Sequence, residues 1–157
     1  MHTALTTLLA ASLLAGACSA RTPVSDAVRA RAKIDSRVVL SGITDFQWDT
    51  VHIFGPYSSQ DRVCQALHAI WTDCKEHVPP QGVHEGAFLT AFSLGGRVVH
   101  HEFHPRQNGE YCHDSCALNI PRHEAVFSVI AMPDSNSGNA RFRLVRSAAL
   151  YLPKQEQ

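Results

Sequence analysis

Two groups of residues have the types and spacing for metal or thiol chemistry. The first lies in Val98-Val99-His100-His101-Glu102-Phe103-His104. Alternate residues of an extended strand share a face, so His100, Glu102 and His104 project together. Two imidazoles and a carboxylate in that arrangement suit Zn²⁺ or Cu²⁺, with His113 or His123 as further ligands. The competing reading, which carries more weight, is a solvated strand face backed by a buried face of Val99, His101 and Phe103. The run His101-Glu102-Phe103-His104 is one residue short of the helical H-E-x-x-H signature, so a zincin-type protease is excluded.

The second group is Cys112-His113-Asp114-Ser115-Cys116. A thioredoxin-like redox site needs C-x-x-C at a helix N-terminus, and the spacing here is C-x-x-x-C in a loop. Together with Cys64 and Cys74 these make an even set of cysteines, which in an exported chain points to disulfides. Three pairings are open to four cysteines. An unbroken helix from Ser59 to Thr72 would hold Cys64 and Cys74 about 15 Å apart, beyond the ~7 Å that a disulfide spans between Cα atoms. A Cys64–Cys74 bridge therefore requires the helix to stop near His68 and the chain to turn back. That pairing, with Cys112–Cys116, is the favoured one.

A third constellation, Trp48, Asp49, Pro56 and Tyr57, flanks an apolar strand and marks a possible functional surface. Asp49 has the chemistry of a general base, but also that of an acceptor for backbone N–H groups at a turn, and hydrogen bonding with packing is the preferred reading. The chain has no G-x-S-x-G elbow, no P-loop and no dinucleotide fingerprint. No catalytic residue is assigned, and a non-enzymatic protein is expected.

The elements that must position these groups follow from periodicity. Arg37-Val38-Val39-Leu40 reads as a short strand before Ser41-Gly42. Phe46 to Phe54 reads as a strand with Phe46, Trp48, Thr50, His52 and Phe54 on one face. Val51 and Ile53 lie on the other, which suggests a central strand covered on both sides. Ser58 is the expected helix N-cap, with Asp61 three residues on. Val63, Ala66, Leu67, Ile70 and Trp71 then recur at helical spacing, which predicts a helix over roughly 59–68 or longer. Strands Ala87–Ser93 and Arg97–His104 flank Gly95-Gly96, a tight hairpin turn. Residues 105–121 read as a long loop, and 124–132 and 140–152 as strands separated by a polar turn at 133–139. The sum is an α+β domain: one main helix packed on a curved, mostly antiparallel sheet of about five to six strands.

Upstream, Met1 to Ala20 lacks Lys, Arg, Asp and Glu. Its apolar run, Ala4 to Ala15, is too short to span a bilayer, which needs about 20 residues, and fits a signal-peptide core. Leu13-Leu14-Ala15-Gly16-Ala17-Cys18 resembles a bacterial lipobox, whose cysteine receives a diacylglyceryl group. The domain plan is a signal segment at 1–17, a lipid-anchored flexible tether at 18–35, a single domain at 36–153 and a tail at 154–157. A short helix over Ser25–Lys33 is conceivable within the tether, but no apolar stripe marks it. With Ser19 after Cys18, the expected location is the outer membrane, facing the periplasm. Lys+Arg and Asp+Glu number 14 each, for a formal net charge of +0, which argues against nucleic acid as a partner.

Phe46-Gln47-Trp48-Asp49, then Phe54-Gly55-Pro56-Tyr57 and the helix, with the later turn Leu94-Gly95-Gly96-Arg97-Val98-Val99, resembles a group of small uncharacterised bacterial lipoproteins carrying F-x-W-D and F-x-P-Y motifs. The resemblance implies an envelope location and the order strand, turn, helix; it implies no activity. The leading expectation is an envelope lipoprotein whose domain binds another protein or an envelope component, inhibitor- or immunity-like proteins being examples. The alternative is a periplasmic metal-binding protein using His100, Glu102 and His104.

Overall fold

Gly95 and Gly96 sit at φ +56° and +76°, the left-handed values that a two-residue hairpin turn needs. They close β3 (Ala87–Leu94) onto β4 (Arg97–Pro105). The computed structural model describes residues 22–112, 116–133 and 141–147. The leader, Cys18, His113, the 134–139 part of the polar turn and the 154–157 tail lie outside these.

The remaining elements are β1 (Arg37–Val39), β2 (Thr50–Phe54), β5 (Ala117–Pro121), β6 (Val126–Met132) and β7 (Arg141–Arg146), with helices α1 (Val24–Ala32), α2 (Gln60–Leu67) and α3 (Cys74–His77). The fold is α+β with antiparallel strand pairing, but the strands form two sheets rather than one curved sheet. One sheet has the order β1-β6-β7, the other β4-β3-β2-β5. The second sheet gains β5 from the segment expected to be loop. Ala117-Leu118-Asn119-Ile120-Pro121 is short and interrupted by Asn, so alternation is hard to see, yet it pairs with β2 along its whole length.

Two cores follow from the two faces of the β4-β3-β2-β5 sheet. Val51, Ile53, Phe88, Phe92 and Ile120 pack against α1 and against Val38, Phe127 and Leu144 of the other sheet. On the opposite face Phe54, Leu89 and Ala91 pack against Val63, Leu67, Trp71 and the Cys64–Cys74 pair. β2 is central and buried at Val51 through Phe54, as a strand covered on both sides must be. It begins only at Thr50, so the alternation read from Phe46 does not hold. Trp48 lies in the first core with Val51, while His52 faces the second side.

α1 changes the domain boundary. Residues 24–32 were expected inside a flexible tether; they form a helix whose Val24, Val28 and Ala32 are buried. Spacing of four puts these three on one stripe, too sparse and too small to stand out among Ser, Asp, Arg and Ala. The folded unit therefore includes residues 24–32, upstream of the expected start at Ser36. In α2 the N-cap is Ser59, whose Oγ accepts from the Arg62 N–H at 3.2 Å, one residue later than expected. Asp61 instead pairs with Lys75 of α3 at 2.8 Å. The helix ends at Leu67, and the chain turns back so that Cys64 and Cys74 are joined with Cα atoms 5.5 Å apart. Cys112 and Cys116 form the second pair, at 6.4 Å.

Candidate functional site

His100, Glu102 and His104 do share one face of β4, opposite Phe92, Thr90 and Phe88. That face is neither a solvated surface nor an open ligand set, because α1 lies over it. The Glu102 carboxylate accepts the Val24 N–H at 2.9 Å and the Ser25 N–H at 2.6 Å. It therefore caps the helix N-terminus from another element, where donors lack intrahelical partners and the helix dipole favours an anion. His100 Nε2 donates to the same carboxylate at 3.2 Å. Burial disfavours the Glu102 charge, but these three donors outweigh it and hold its carboxyl below the ordinary range. His104 is 1 % exposed and its Nε2 donates to the Gly109 carbonyl at 2.9 Å. Burial pulls its pKa down to about 4, so it is a neutral core residue beside Phe88 and Tyr111. His123, the other described candidate ligand, lies on the exposed segment before β6 beside Glu124. Among the described residues no group of three His, Cys, Asp or Glu side chains is arranged to hold a metal ion.

The Trp48–Asp49–Tyr57 surface is not a single surface. Trp48 is buried, its indole N–H bonded to Thr44 Oγ1 at 2.9 Å. Asp49 ties the hairpin turn to the start of β2: Oδ2 accepts the Gly95 N–H at 2.7 Å and Oδ1 accepts the Ser93 hydroxyl at 3.1 Å. The Gly95 N–H lowers its pKa, so Asp49 is a poor base and a good turn anchor. Tyr57 follows β2 at its other end, at φ +66° and exposed; its N–H donates to the Val83 carbonyl at 2.8 Å.

Next to Asp49 a polar relay crosses three strands. His52 Nδ1 lies 2.8 Å from Asn119 Oδ1 and Nε2 lies 3.2 Å from Ser93 Oγ. The order Ser–His–Asn has the roles of a nucleophile, base and orienting group. Ser93, however, is 4 % exposed, and its hydroxyl is shared with the Asp49 carboxylate and the Thr50 carbonyl. The array satisfies the buried His52 and Ser93 where β3, β2 and β5 meet, with Asn119 at its exposed end.

The open site lies on the other side of β4. A β-bulge near Ser93 shifts the register so that Phe92 pairs with His100 and Ser93 with Val98. Val99 is thereby expelled to 46 % exposure, and Val98 and Phe103 pack toward the second core. His101 then faces the α2–α3 turn, where Val98 N–H donates to the Ile70 carbonyl at 3.0 Å. A cleft of about 550 Å³ opens between this turn and β4, its walls including Trp71, Asp73, His77, Val99 and His101. The His77 and His101 rings are 4.8 Å apart, and Trp71 lies 4.8 Å from His101 and 5.7 Å from His77, stacked on the latter. His77 Nε2 donates to Asp73 at 3.1 Å, a contact that lowers the Asp73 pKa. Burial, then the neighbouring His77, lowers the pKa of His101, so His101 is neutral at pH 7. The cleft thus offers a neutral imidazole and a carboxylate-oriented imidazole, both packed on the buried Trp71 ring, groups that donate, accept and stack.

From sequence, Trp71 was read only as part of the helical apolar stripe, and Val99 and His101 only as part of a buried face; Asp73 and His77 were not singled out. Asp73 and His77 are separated by four residues around Cys74, but that helix has only four residues and shows no periodicity. Comparison with protein-family models, with curated proteins and with solved structures finds no match, so the site is read from its own geometry.

Proposed function

We propose that this chain is an exported, lipid-anchored recognition domain of the bacterial envelope, and that the Trp71–His77–His101 cleft is its contact surface. The cleft carries the reading. It gathers aromatic and hydrogen-bonding groups, while the His100–Glu102 and Ser93–His52–Asn119 clusters are engaged in internal bonds. A nucleophile with an open approach is not needed for such a role, and the protein acts by binding rather than by catalysis. Export is supported by the leader, by the lipobox around Cys18 and by cysteine parity. The sequence holds five cysteines; Cys64, Cys74, Cys112 and Cys116 pair with each other. Cys18 is the odd one, and it stands where a lipobox places the acylated residue. The resemblance to small uncharacterised lipoproteins agrees with this location.

Intact mass of the mature protein taken from membranes tests the reading, with thiol alkylation before and after reduction. A diacylglyceryl mass on Cys18, with four thiols alkylated only after reduction, is the expected result. An unmodified chain cleaved near Ala20, or four free thiols before reduction, would contradict it.

A further inference from the structure

The way α1 is fastened to β4 sets how far the domain can stand from its anchor. Glu102 holds the first two N–H groups of α1. Asn108 donates to Asp26 at 3.1 Å, and Val24, Val28 and Ala32 are buried beneath the helix. The position of Val24 on the folded unit is therefore fixed. Whatever its conformation, the chain between Cys18 and Val24 cannot exceed its covalent reach. Six Cα–Cα steps at no more than about 3.6 Å give a maximum of ~20 Å.

We propose that the bilayer carrying the anchor is the partner of the surface around the α1 N-terminus, which is held against the lipid headgroups. The proposal rests on lipidation of Cys18. The surface has a recess of about 430 Å³ between Thr22, Pro23 and the β4 residues His100, Glu102, Phe103 and Pro105. Pro23, Phe103 and Pro105 supply its apolar wall. Its acidic groups, Asp26 and Glu102, disfavour anionic headgroups and are compatible with zwitterionic ones. A partner reached by so short a leash must itself lie close to the membrane.

The test uses the full-length lipidated protein in phosphatidylcholine vesicles that contain a headgroup spin-label quencher. Single fluorophores are attached at Thr22→Cys, beside the recess, and at Asp61→Cys, on α2 across the sheet. Quenching several-fold stronger at position 22 is expected, and a fifteen-residue Gly/Ser insertion after Ala20 should abolish the difference while leaving the domain intact. Equal quenching at both positions in protein whose mass shows the lipid overturns this orientation and leaves the anchor standing. A mass without lipid overturns the anchor and the orientation together.

Discussion

His100 and His101 are neighbours in sequence and belong to opposite faces of one strand, with opposite fates. His100 is drawn into a polar lock: it bonds Glu102, which caps α1, with its ring at the border of the recess and the cleft. His101 opens onto a cleft beside the rings of Trp71 and His77. The difference comes from what covers each face. A whole helix, fastened by its own N–H groups, lies over the His100 side. On the His101 side the covering chain is a short α2–α3 turn, pulled tight by the Cys64–Cys74 bridge and too small to reach across β4. Side chains of the same type thus become structure on one face and remain available on the other.

The comparison can be broken most forcefully on the closed face. Glu102→Ala leaves two N–H donors of α1 without their acceptor. Loss of a cap costs about 1–2 kcal/mol, and stranding part-buried donors adds about 1–3 kcal/mol, so denaturant unfolding should register a loss of about 4 kcal/mol. Glu102→Gln, which keeps one acceptor oxygen, should lose about half of that. If Glu102→Ala unfolds at the wild-type midpoint, α1 is not held as described.

The next effect is pH-dependent. The folded-state pKa of His104, near 4, lies below the value of about 6.5 in an unfolded chain. The unfolded form therefore takes the proton first as pH falls. The stabilisation is fully present above pH 6.5 and drains away between 6.5 and 4, by about 3 kcal/mol. His52 and His101 are shifted in the same direction by burial and steepen the loss. Urea melts at a series of pH values should show this fall, and His104→Gln should flatten it.

Opening the Cys64–Cys74 bridge by Cys64→Ser with Cys74→Ser frees the α2–α3 turn. Closing a loop of this size contributes about 2.5 kcal/mol. Because α3 starts at Cys74 and carries His77, the same change should separate His77 from His101. Loss of ring-current shifts of the two imidazoles in NMR spectra would record this. The smallest effect on stability belongs to the open face itself: His77→Ala and His101→Ala should each alter unfolding by no more than about 0.5 kcal/mol.

What the sequence could and could not show follows from how local each feature is. The Gly95-Gly96 hairpin, the end of α2 near His68 and the central position of β2 depend on neighbouring residues and on covalent reach, and they were legible. So was the common face of His100, Glu102 and His104. Which face was covered was not legible, because it depends on α1, about 75 residues upstream, with a stripe of only Val24, Val28 and Ala32. β5 was hidden because its partner is a distant strand and its apolar groups are few. The cleft was hidden for two reasons. A bulge reversed the roles of Val98 and Val99, and His77 lies on a one-turn helix that exists through a disulfide and a salt bridge rather than through periodicity.

The central claim is that the cleft, and not the rest of the surface, meets a partner at the membrane. A photo-reactive phenylalanine analogue at Val99, on the cleft wall, can be compared with the same residue at Ile130 on the outer face of the other sheet; both are about half exposed. Irradiated in intact membranes, the Val99 derivative is predicted to give one discrete adduct that disappears with His77→Ala and His101→Ala, and the Ile130 derivative none. Adducts of equal yield at both positions, or a Val99 adduct indifferent to the two histidines, would contradict the assignment of the cleft.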